Sequence, residues 1–298
     1  MLLVQCMIFF FVFYDIMKAF KTIWHHLLPK KVLSIFAGCM ANITYPSIRN
    51  YLIRDFIQKY HVNMAEAIKN NPDDYSCFND FFIRKLKTEC RPINQHHIVS
   101  PVDGCISELG NINTGTIIQA KGKYYSVHAL LACERSISNK FEHGIFATIY
   151  LSPKDYHRVH MPIDGTLTHM IHVPGRLFSV QPHTVQTVPD LFARNERLIA
   201  FFDTEIGPLA MVLVGATLVG AIGTIWHGDL KRPSKTQHID CPVNPVNFLK
   251  KGQEMGYFKL GSTVILLFAN AEKIQWMQEI SANHCLNYGS ALACLRTL

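Results

Sequence analysis

The stretch Phe258-Lys259-Leu260-Gly261-Ser262-Thr263-Val264-Ile265-Leu266-Leu267-Phe268 contains two apolar runs that meet at a Gly-Ser pair. The β-branched and aromatic residues after Ser262 predict a strand that is buried on both faces. Taken alone, Gly261 indicates a bulge or turn, and Ser262 indicates a solvated turn residue. The alternative interpretation is that the chain cleaves itself between these two residues.

That alternative is ordinary carbonyl chemistry. The Ser262 hydroxyl attacks the preceding carbonyl carbon and converts the amide into an ester, and elimination across the Cα–Cβ bond of Ser262 then releases the upstream chain. The dehydroalanine left behind hydrolyses to a pyruvoyl group. A pyruvoyl ketone can form a Schiff base with a substrate amine and act as an electron sink.

The composition limits the class of protein. The chain has 298 residues, of which 49% are hydrophobic and 17% charged, which allows a large core and excludes wholesale disorder. A formal charge of +7 indicates an anionic partner. A membrane surface is favoured over nucleic acid, because no Lys/Arg block is interleaved with aromatic residues. The nine cysteines include no CxxC pair, which predicts reduced thiols and no zinc site.

The amino-terminal region, residues 1–91, is predicted to be helical and to associate with a membrane. Residues 2–14 are almost wholly apolar but shorter than the roughly 20 residues of a spanning helix. Because Met17 follows, residues 1–16 are either a short anchor or the product of a miscalled start codon.

The segment from Ile16 to Arg54 contains lysine and arginine but no carboxylate. Trp24 and its apolar neighbours recur at helical spacing, which is typical of a helix in a membrane interface. The alternative is a helix that packs its apolar face on the domain and exposes its lysines. Two further helices are predicted, over Ser47–Tyr60 and Phe78–Leu86.

After residue 91 the pattern changes from helical to strand-like, so we place a domain boundary near residue 92 and predict a β-rich catalytic domain over residues 92–298. The fold class is α+β, with helices first and then a mostly antiparallel sheet system. The predicted strands are Ile98–Val99, Gly104–Glu108, Thr116–Gln119, Ile145–Leu151, Gly165–Val173, Leu198–Thr204, Leu209–Val214, Val219–Trp226, Gly256–Lys259 and Thr263–Phe268.

Three places in this body carry candidate chemistry. Asp103 precedes Gly104 and is either an Asx-turn residue or a functional carboxylate. His157 and His160 are either structural or acid/base residues in a loop; a metal site lacks a recognisable third ligand. Arg194 and Arg197 either bind a phosphate or carboxylate or form an exposed, ion-paired turn. Asp103, His160 and Ser262 together suggest a Ser-His-Asp relay.

These motifs closely resemble the bacterial phosphatidylserine decarboxylases, which are pyruvoyl enzymes that make phosphatidylethanolamine. The resemblance runs from about Met17 to about Ala271, and Tyr-His-Arg-Val-His-Met-Pro with Leu-Gly-Ser-Thr is its most specific part. The matching stretches are Tyr75 to Leu86, Pro101 to Gly104, Ala120-Lys121-Gly122, Tyr150 to Pro162, Val173-Pro174-Gly175, Leu191 to Arg197, Val214-Gly215-Ala216-Thr217 and Lys251 to Val264.

The resemblance implies a role for each candidate. Asp103 would orient His160, and His160 would deprotonate Ser262 for attack on the Gly261 carbonyl. Cleavage would give a β chain, residues 1–261, and an α chain, residues 262–298, whose first residue becomes the pyruvoyl group that binds substrate. His157 would act on the substrate side, as a contact for the carboxylate or as a proton donor.

The resemblance also implies the setting. The substrate is phosphatidylserine in an anionic membrane, the protein is peripheral to the cytoplasmic face of the inner membrane, and the processed unit forms a homodimer. Neither a metal nor nucleic acid is expected. Three alternatives stay open from the residues: a serine hydrolase acting on lipid, a non-enzymatic peripheral membrane protein, and a pyruvoyl decarboxylase acting on a free amino acid.

Overall fold

The computed structural model describes residues 38–217, 221–243, 246–259 and 262–296. The predictions for the apolar start, for the helix around Trp24 and for Gly261 lie outside these ranges. The helices within them, α1 to α6 in chain order, are Pro46–Tyr60, Phe78–Phe82, Val127–Leu131, Arg135–Ser138, Pro182–Thr187 and Leu191–Arg194. Short 3₁₀ turns cover Met64–Glu66, Pro72–Asp74, Thr88–Cys90, Asn139–Phe141 and Ala271–Lys273.

Strands make up most of the rest of the described chain. Strands β1 to β9 are Ile98–Val99, Gly104–Asn111, Thr116–Ala120, Lys123–Ser126, Ile145–Leu151, Arg158–His160, Gly165–Val173, Arg197–Thr204 and Gly207–Gly215. Strands β10 to β18 are Ala221–Thr224, Gly228–Asp229, Gln237–Ile239, Phe248–Leu249, Glu254–Lys259, Ser262–Phe268, Ile274–Trp276, Cys285–Leu286 and Ala291–Leu295.

The strands form one large sheet and three smaller ones. The large sheet has nine strands, eight of them in the order β12-β7-β8-β9-β15-β5-β2-β17, with β13 also paired to β7. The smaller sheets have the orders β11-β10-β14-β6, β1-β18-β16 and β3-β4. All of these strand pairs are antiparallel, which confirms the predicted α+β class with a mostly antiparallel body.

Strand β15 lies inside the large sheet, between β5 and β9. Every residue from Ser262 to Phe268 is buried and has a partner on both neighbouring strands. Alternate side chains enter different cores: Val264, Leu266 and Phe268 join one hydrophobic cluster, and Ile265 and Leu267 join another. The prediction of a strand buried on both faces is therefore confirmed, and it begins at Ser262.

The preceding strand, β14, belongs to a different sheet. It pairs with β10 on one side and with β6 on the other. The chain thus passes from the four-stranded sheet to the nine-stranded sheet between Lys259 and Ser262, which is where the Gly-Ser pair occurs in the sequence.

A third hydrophobic cluster lies among the amino-terminal elements and contains Ala41, Ile53, Val62, Tyr75, Phe78, Phe81 and Phe82. The predicted helix over Ser47–Tyr60 is α1, which begins one residue earlier, at Pro46. Ile53 is its buried residue, whereas Ile48 and Tyr51 are 42% and 69% exposed. The cluster takes the other side of the helix, so these two side chains remain at the surface.

Three local predictions are wrong. The helix predicted to run to Leu86 ends at Phe82, because the following residues pair with the extended segment near Ala67 instead. Of the two histidines placed in one loop, His160 belongs to strand β6. Finally, Cys105 and Cys285 form a disulfide between β2 and β17, which contradicts the expectation that all nine thiols are free.

Candidate active site

Ser262 stands at the first position of the central strand β15 and has no exposed surface. Its Cα partners are Leu151 at the end of β5 and Gly215 at the end of β9. Its hydroxyl oxygen lies 3.3 Å from Nδ1 of His157. A buried hydroxyl is thus fixed at one end of the sheet with an imidazole as its hydrogen-bond partner.

The hydrogen bonds of His157 define its tautomer. Its Nε2 lies 3.1 Å from the carbonyl oxygen of Ser152, which can only accept, so Nε2 carries the proton. Complete burial, with a smaller contribution from the nearby Arg84 guanidinium, lowers the pKa of His157 to about 3, so the ring is neutral. Nδ1 therefore presents a lone pair to Ser262, and the serine hydroxyl donates to it.

The segment from Phe82, the last residue of α2, to Arg84 holds His157 in place. The Phe82 ring stacks on the imidazole with a centroid distance of 4.2 Å. Nη2 of Arg84 donates to the carbonyl of Lys154 at 2.8 Å, and Nε of Arg158 donates to the carbonyl of Ile83 at 2.8 Å. These contacts clamp the chain on both sides of His157. The sequence shows only a cluster of aromatic residues around Phe82, and it does not indicate which histidine the ring stacks on.

His160 lies in a second group of side chains, which also contains Tyr156, Tyr288 and Asp103. Its Nδ1 donates to the carbonyl of Gly252 at 2.9 Å, and its Nε2 accepts from the Tyr156 hydroxyl at 3.2 Å. The ring stacks on Tyr288 at 4.0 Å, and burial lowers its pKa to about 4. Among the described hydrogen bonds, neither ring nitrogen contacts Ser262, so in this arrangement the imidazole beside the serine is that of His157.

Asp103 belongs to the same second group. Its carboxylate accepts from Arg91 at 2.6 Å and from the backbone N–H of Tyr288 at 2.8 Å. Arg91 is itself buried and also donates to Glu66 at 2.9 Å. Asp103 is therefore linked to His160 through Tyr288 rather than by a direct hydrogen bond. Arg91 was missed in the sequence because arginine before proline has no pattern that identifies its partner.

The two arginines predicted to bind phosphate or carboxylate have other partners. Arg197 is buried, and its guanidinium donates to the carbonyls of Leu130, Ala129, Ala193 and Asn195 at 2.6 to 3.0 Å. Burial also lowers its pKa to about 10. Arg194 lies over the Phe178 ring at 4.9 Å and donates to the Pro189 carbonyl. Because the donors of Arg197 are occupied by backbone, we no longer assign it to a substrate site.

The segment that contains these two arginines also contains Asn195, which bonds to a strand neighbour of Ser262. Buried Asn195 donates from Nδ2 to the Gly215 carbonyl at 2.9 Å, and Gly215 is a Cα partner of Ser262. A side chain on Gly175 would come within 2.4 Å of the Asn195 backbone carbon, so this position requires the close approach that glycine allows.

A cavity of about 670 Å³ opens beside the second group. Its wall includes Asp103, Arg84, Ser152, Asp155 and Tyr156. The carbonyl of Ser152 is also the hydrogen-bond partner of His157, so the cavity extends to a residue that contacts the partner of Ser262. Burial raises the pKa of the Asp155 carboxyl in this wall.

The described ranges, 38–217, 221–243, 246–259 and 262–296, bear on the questions of a metal and of a membrane span. They contain no group of three or more His, Cys, Asp or Glu side chains arranged to hold a metal ion. In the same part of the chain, no helix combines the length and apolar character needed to cross a bilayer.

A buried serine that faces the free nitrogen of a neutral imidazole is the arrangement of an enzyme with an activated hydroxyl. The family model described as phosphatidylserine decarboxylase matches residues 78–293, and a model described as PSD matches residues 20–61. The chain belongs to the phosphatidylserine decarboxylase family, and it is a decarboxylase.

Similar proteins named phosphatidylserine decarboxylase proenzyme occur in several bacteria. The protein of Legionella pneumophila (strain Corby) is 56% identical over 276 residues, covering 92% of this chain and 98% of the relative. The Bordetella avium (strain 197N) protein is 48% identical, covering 90% and 92%. The Shewanella sp. (strain W3-18-1) protein is 48% identical, covering 94% and 99%. The likeness therefore extends over nearly the whole of both chains.

Proposed function

We propose that this protein converts phosphatidylserine to phosphatidylethanolamine and carbon dioxide, after cleaving itself between Gly261 and Ser262. The observation that carries the proposal is the contact between the Ser262 hydroxyl and the unprotonated Nδ1 of His157, in a family whose relatives are named as proenzymes. A proenzyme name fits a chain that must be processed before it acts.

In the proposed cleavage, the Ser262 oxygen attacks the Gly261 carbonyl carbon as its proton passes to His157. The peptide C–N bond breaks, the nitrogen takes a proton, and an ester joins the two residues. Removal of the Ser262 Cα proton then forms a Cα–Cβ double bond and expels Gly261 as a carboxylate. The resulting enamine becomes an imine, water adds, and ammonia leaves to give a ketone.

The residues around Ser262 fit a group formed there. The position is buried, begins a strand that is held on both sides, and has a neutral imidazole within hydrogen-bond reach. The pyruvoyl group supplies a ketone that takes up the substrate amine and accepts the electron pair released as carbon dioxide leaves. His157 can hold or return a proton at this position, which supports its assignment to the substrate side.

The relay of Asp103, His160 and Ser262 stays a prediction. It requires His160 to exchange its bonds to the Gly252 carbonyl and the Tyr156 hydroxyl for a bond to the serine. His157 needs no such change, so the geometry favours His157 as the group that takes the Ser262 proton. Arg194, which has an exposed side and a single backbone partner, is the remaining candidate for the lipid phosphate.

The proposed products are residues 1–261 and 262–298. The smaller piece would contribute β15 to the centre of the large sheet, β17 to its edge, and β16 and β18 to the three-stranded sheet. We also retain the division near residue 92, which is supported by the separate hydrophobic cluster of the amino-terminal elements. A homodimer of processed units is part of the proposal.

The membrane part of the proposal concerns the cytoplasmic face of the inner membrane. Tyr45, Ile48 and Tyr51 expose large apolar side chains at the start of α1, next to Arg49. Lysines and arginines each add about 1 kcal/mol of attraction near an anionic leaflet, and salt screens this attraction. We expect sedimentation with phosphatidylserine vesicles to fall as the salt concentration rises. Attachment that ignores salt would indicate an apolar anchor instead.

The first experiment is the intact mass of the purified chain under denaturing, reducing conditions. We expect two pieces divided between Gly261 and Ser262, the smaller one blocked to Edman degradation and reactive with a hydrazide. The Ser262→Ala chain should remain whole, and the processed enzyme should release carbon dioxide from phosphatidylserine. A wild-type chain that stays whole and is acylated at Ser262 would favour a serine hydrolase. Turnover of free serine without lipid would favour an amino-acid decarboxylase.

A further inference from the structure

We infer that the disulfide between Cys105 and Cys285 is an oxidant-dependent covalent link between the two pieces of the processed enzyme; the inference rests on the proposed cleavage. The two cysteines are directly opposite each other on antiparallel strands β2 and β17, with their Cα atoms 3.9 Å apart. The backbone bond from Ile106 N to the His284 carbonyl adjoins the pair. The strand pairing itself brings the two sulfur atoms together.

The position of the disulfide in the chain gives it this role. Cys105 precedes the proposed cleavage point and Cys285 follows it, so the bond would join residues 1–261 to residues 262–298. Strand β17 has two residues and lies at the edge of the nine-stranded sheet, where β2 is its neighbour. A short edge strand has few backbone bonds to retain it, and the sulfur bond ties it to the sheet.

The site is open to small thiols and disulfides. Both cysteines line the cavity of about 670 Å³ that also contains Asp103, and Cys285 is exposed. In the forward step, one thiolate attacks a low-molecular-weight disulfide and releases one small thiol. The second cysteine then attacks the mixed disulfide and releases the other. Two protein thiols are oxidised and one small disulfide is reduced to two thiols.

The link therefore follows the thiol–disulfide balance of its surroundings. In a strongly reducing compartment the two pieces are held by strand pairing and packing alone, and under oxidation they become one covalent unit. The other cysteines of the described chain are free thiols: Cys39, Cys77, Cys90, Cys133, Cys241 and Cys294.

The test is denaturing electrophoresis of wild-type protein equilibrated with oxidised or with reduced glutathione, followed by alkylation. We expect one full-length species after oxidation and two pieces after reduction. Cys285→Ser should give two pieces in both conditions. Cys294→Ser is the matched control, because it removes another cysteine of the small piece, and it should behave like wild type.

The outcomes separate this inference from the proposed function. Two pieces in both conditions for wild type would overturn the link while leaving the cleavage intact. A single chain under reduction would overturn both the cleavage and the link between pieces. Peptide mapping of the oxidised Ser262→Ala chain should recover the Cys105 and Cys285 peptides joined; their recovery as separate alkylated peptides would overturn the pairing itself.

Discussion

At the scale of single residues, the tautomer of His157 determines what Ser262 can do. The Ser152 carbonyl fixes the ring proton on Nε2, and burial keeps the imidazole neutral, so the serine faces a base rather than an acid. His160 is neutral for the same reason, but its free nitrogen faces the Tyr156 hydroxyl. Two histidines three positions apart therefore have distinct hydrogen-bond partners.

Comparing His157→Ala with His160→Ala should separate the two assignments. We expect His157→Ala to slow self-cleavage and, in whatever fraction is processed, to lower turnover by roughly 10²–10⁴, the usual contribution of a positioned acid or base. The measurements are the processed fraction over time and carbon dioxide release per processed chain. Normal cleavage in His157→Ala together with blocked cleavage in His160→Ala and Asp103→Ala would instead support the relay.

The buried neutral histidines also predict how stability depends on pH. The pKa of His157 is about 3 in the folded chain, below the ordinary 6.5, so the unfolded chain binds more protons between these values. The contribution of the neutral His157 to the free energy of unfolding is complete above pH 6.5 and is lost as the pH falls toward 3. The slope from one such group is at most about 1.4 kcal/mol per pH unit.

Urea unfolding of the uncleaved Ser262→Ala chain at several pH values between 7 and 5 measures this slope. Adding His157→Gln should make the slope shallower, because one titrating group is removed. His96→Gln, at an exposed position, is the control and should keep the slope of its parent. Equal slopes in all three chains would contradict the buried neutral state of His157.

At the scale of elements, the segment from Phe82 to Arg84 connects the amino-terminal cluster to the catalytic chain. Phe82 is a member of that cluster and also stacks on His157. The helix ends at Phe82, and the residues after it pair in extended form with the segment near Ala67. Ending the helix there directs the Ile83 carbonyl and the Arg84 guanidinium to the chain around His157.

Phe82→Leu tests this connection. Leucine keeps most of the apolar volume, so we expect a stability loss of about 1 kcal/mol. Loss of the stacked ring should let the imidazole shift and lower turnover by roughly tenfold to a hundredfold. Phe78→Leu is the matched control, since Phe78 belongs to the same cluster and helix. Equal effects of the two changes on turnover per processed chain would show that only packing is involved.

At the scale of the whole molecule, the Gly-Ser pair of the proposed cleavage occurs where the chain leaves one sheet for another. Strand β14 is held in the four-stranded sheet and β15 in the nine-stranded sheet. Cleavage at this junction would leave in place the pairs that β14 makes up to Lys259 and those that β15 makes from Thr263 onward. Val264 to Phe268 are fully buried, and burying a side chain of these types stabilises the folded state by about 1.5–3 kcal/mol.

The processed pieces should therefore stay together without any covalent bond. We expect the reduced, cleaved enzyme to elute from a gel-filtration column as one particle containing both pieces. Urea or guanidinium should separate them, because both denaturants solvate apolar and peptide groups. Elution of the small piece alone under native reducing conditions would contradict the central placement of β15.

The sequence by itself predicted the helix over Ser47–Tyr60, the α+β class and most long strands, because hydrophobic period and turn residues are local signals. It also predicted the strand after Ser262 that is buried on both faces, since Val264 to Phe268 is a continuous apolar run with no polar residue on either face. Local pattern could not give the short strands β16, β17 and β18, whose pairing depends on distant segments.

Only the tertiary structure decided which histidine meets Ser262. His157 and His160 are equivalent in the sequence, but His157, just before β6, faces the serine, and His160, the last residue of β6, faces Tyr156. The same holds for Arg197, whose charge suggests a ligand site while its donors bind backbone carbonyls, and for Cys105 with Cys285, which lie far apart in the chain and opposite in the sheet. Such contacts are determined by long-range strand pairing and burial, and neither produces a local periodic pattern in the sequence.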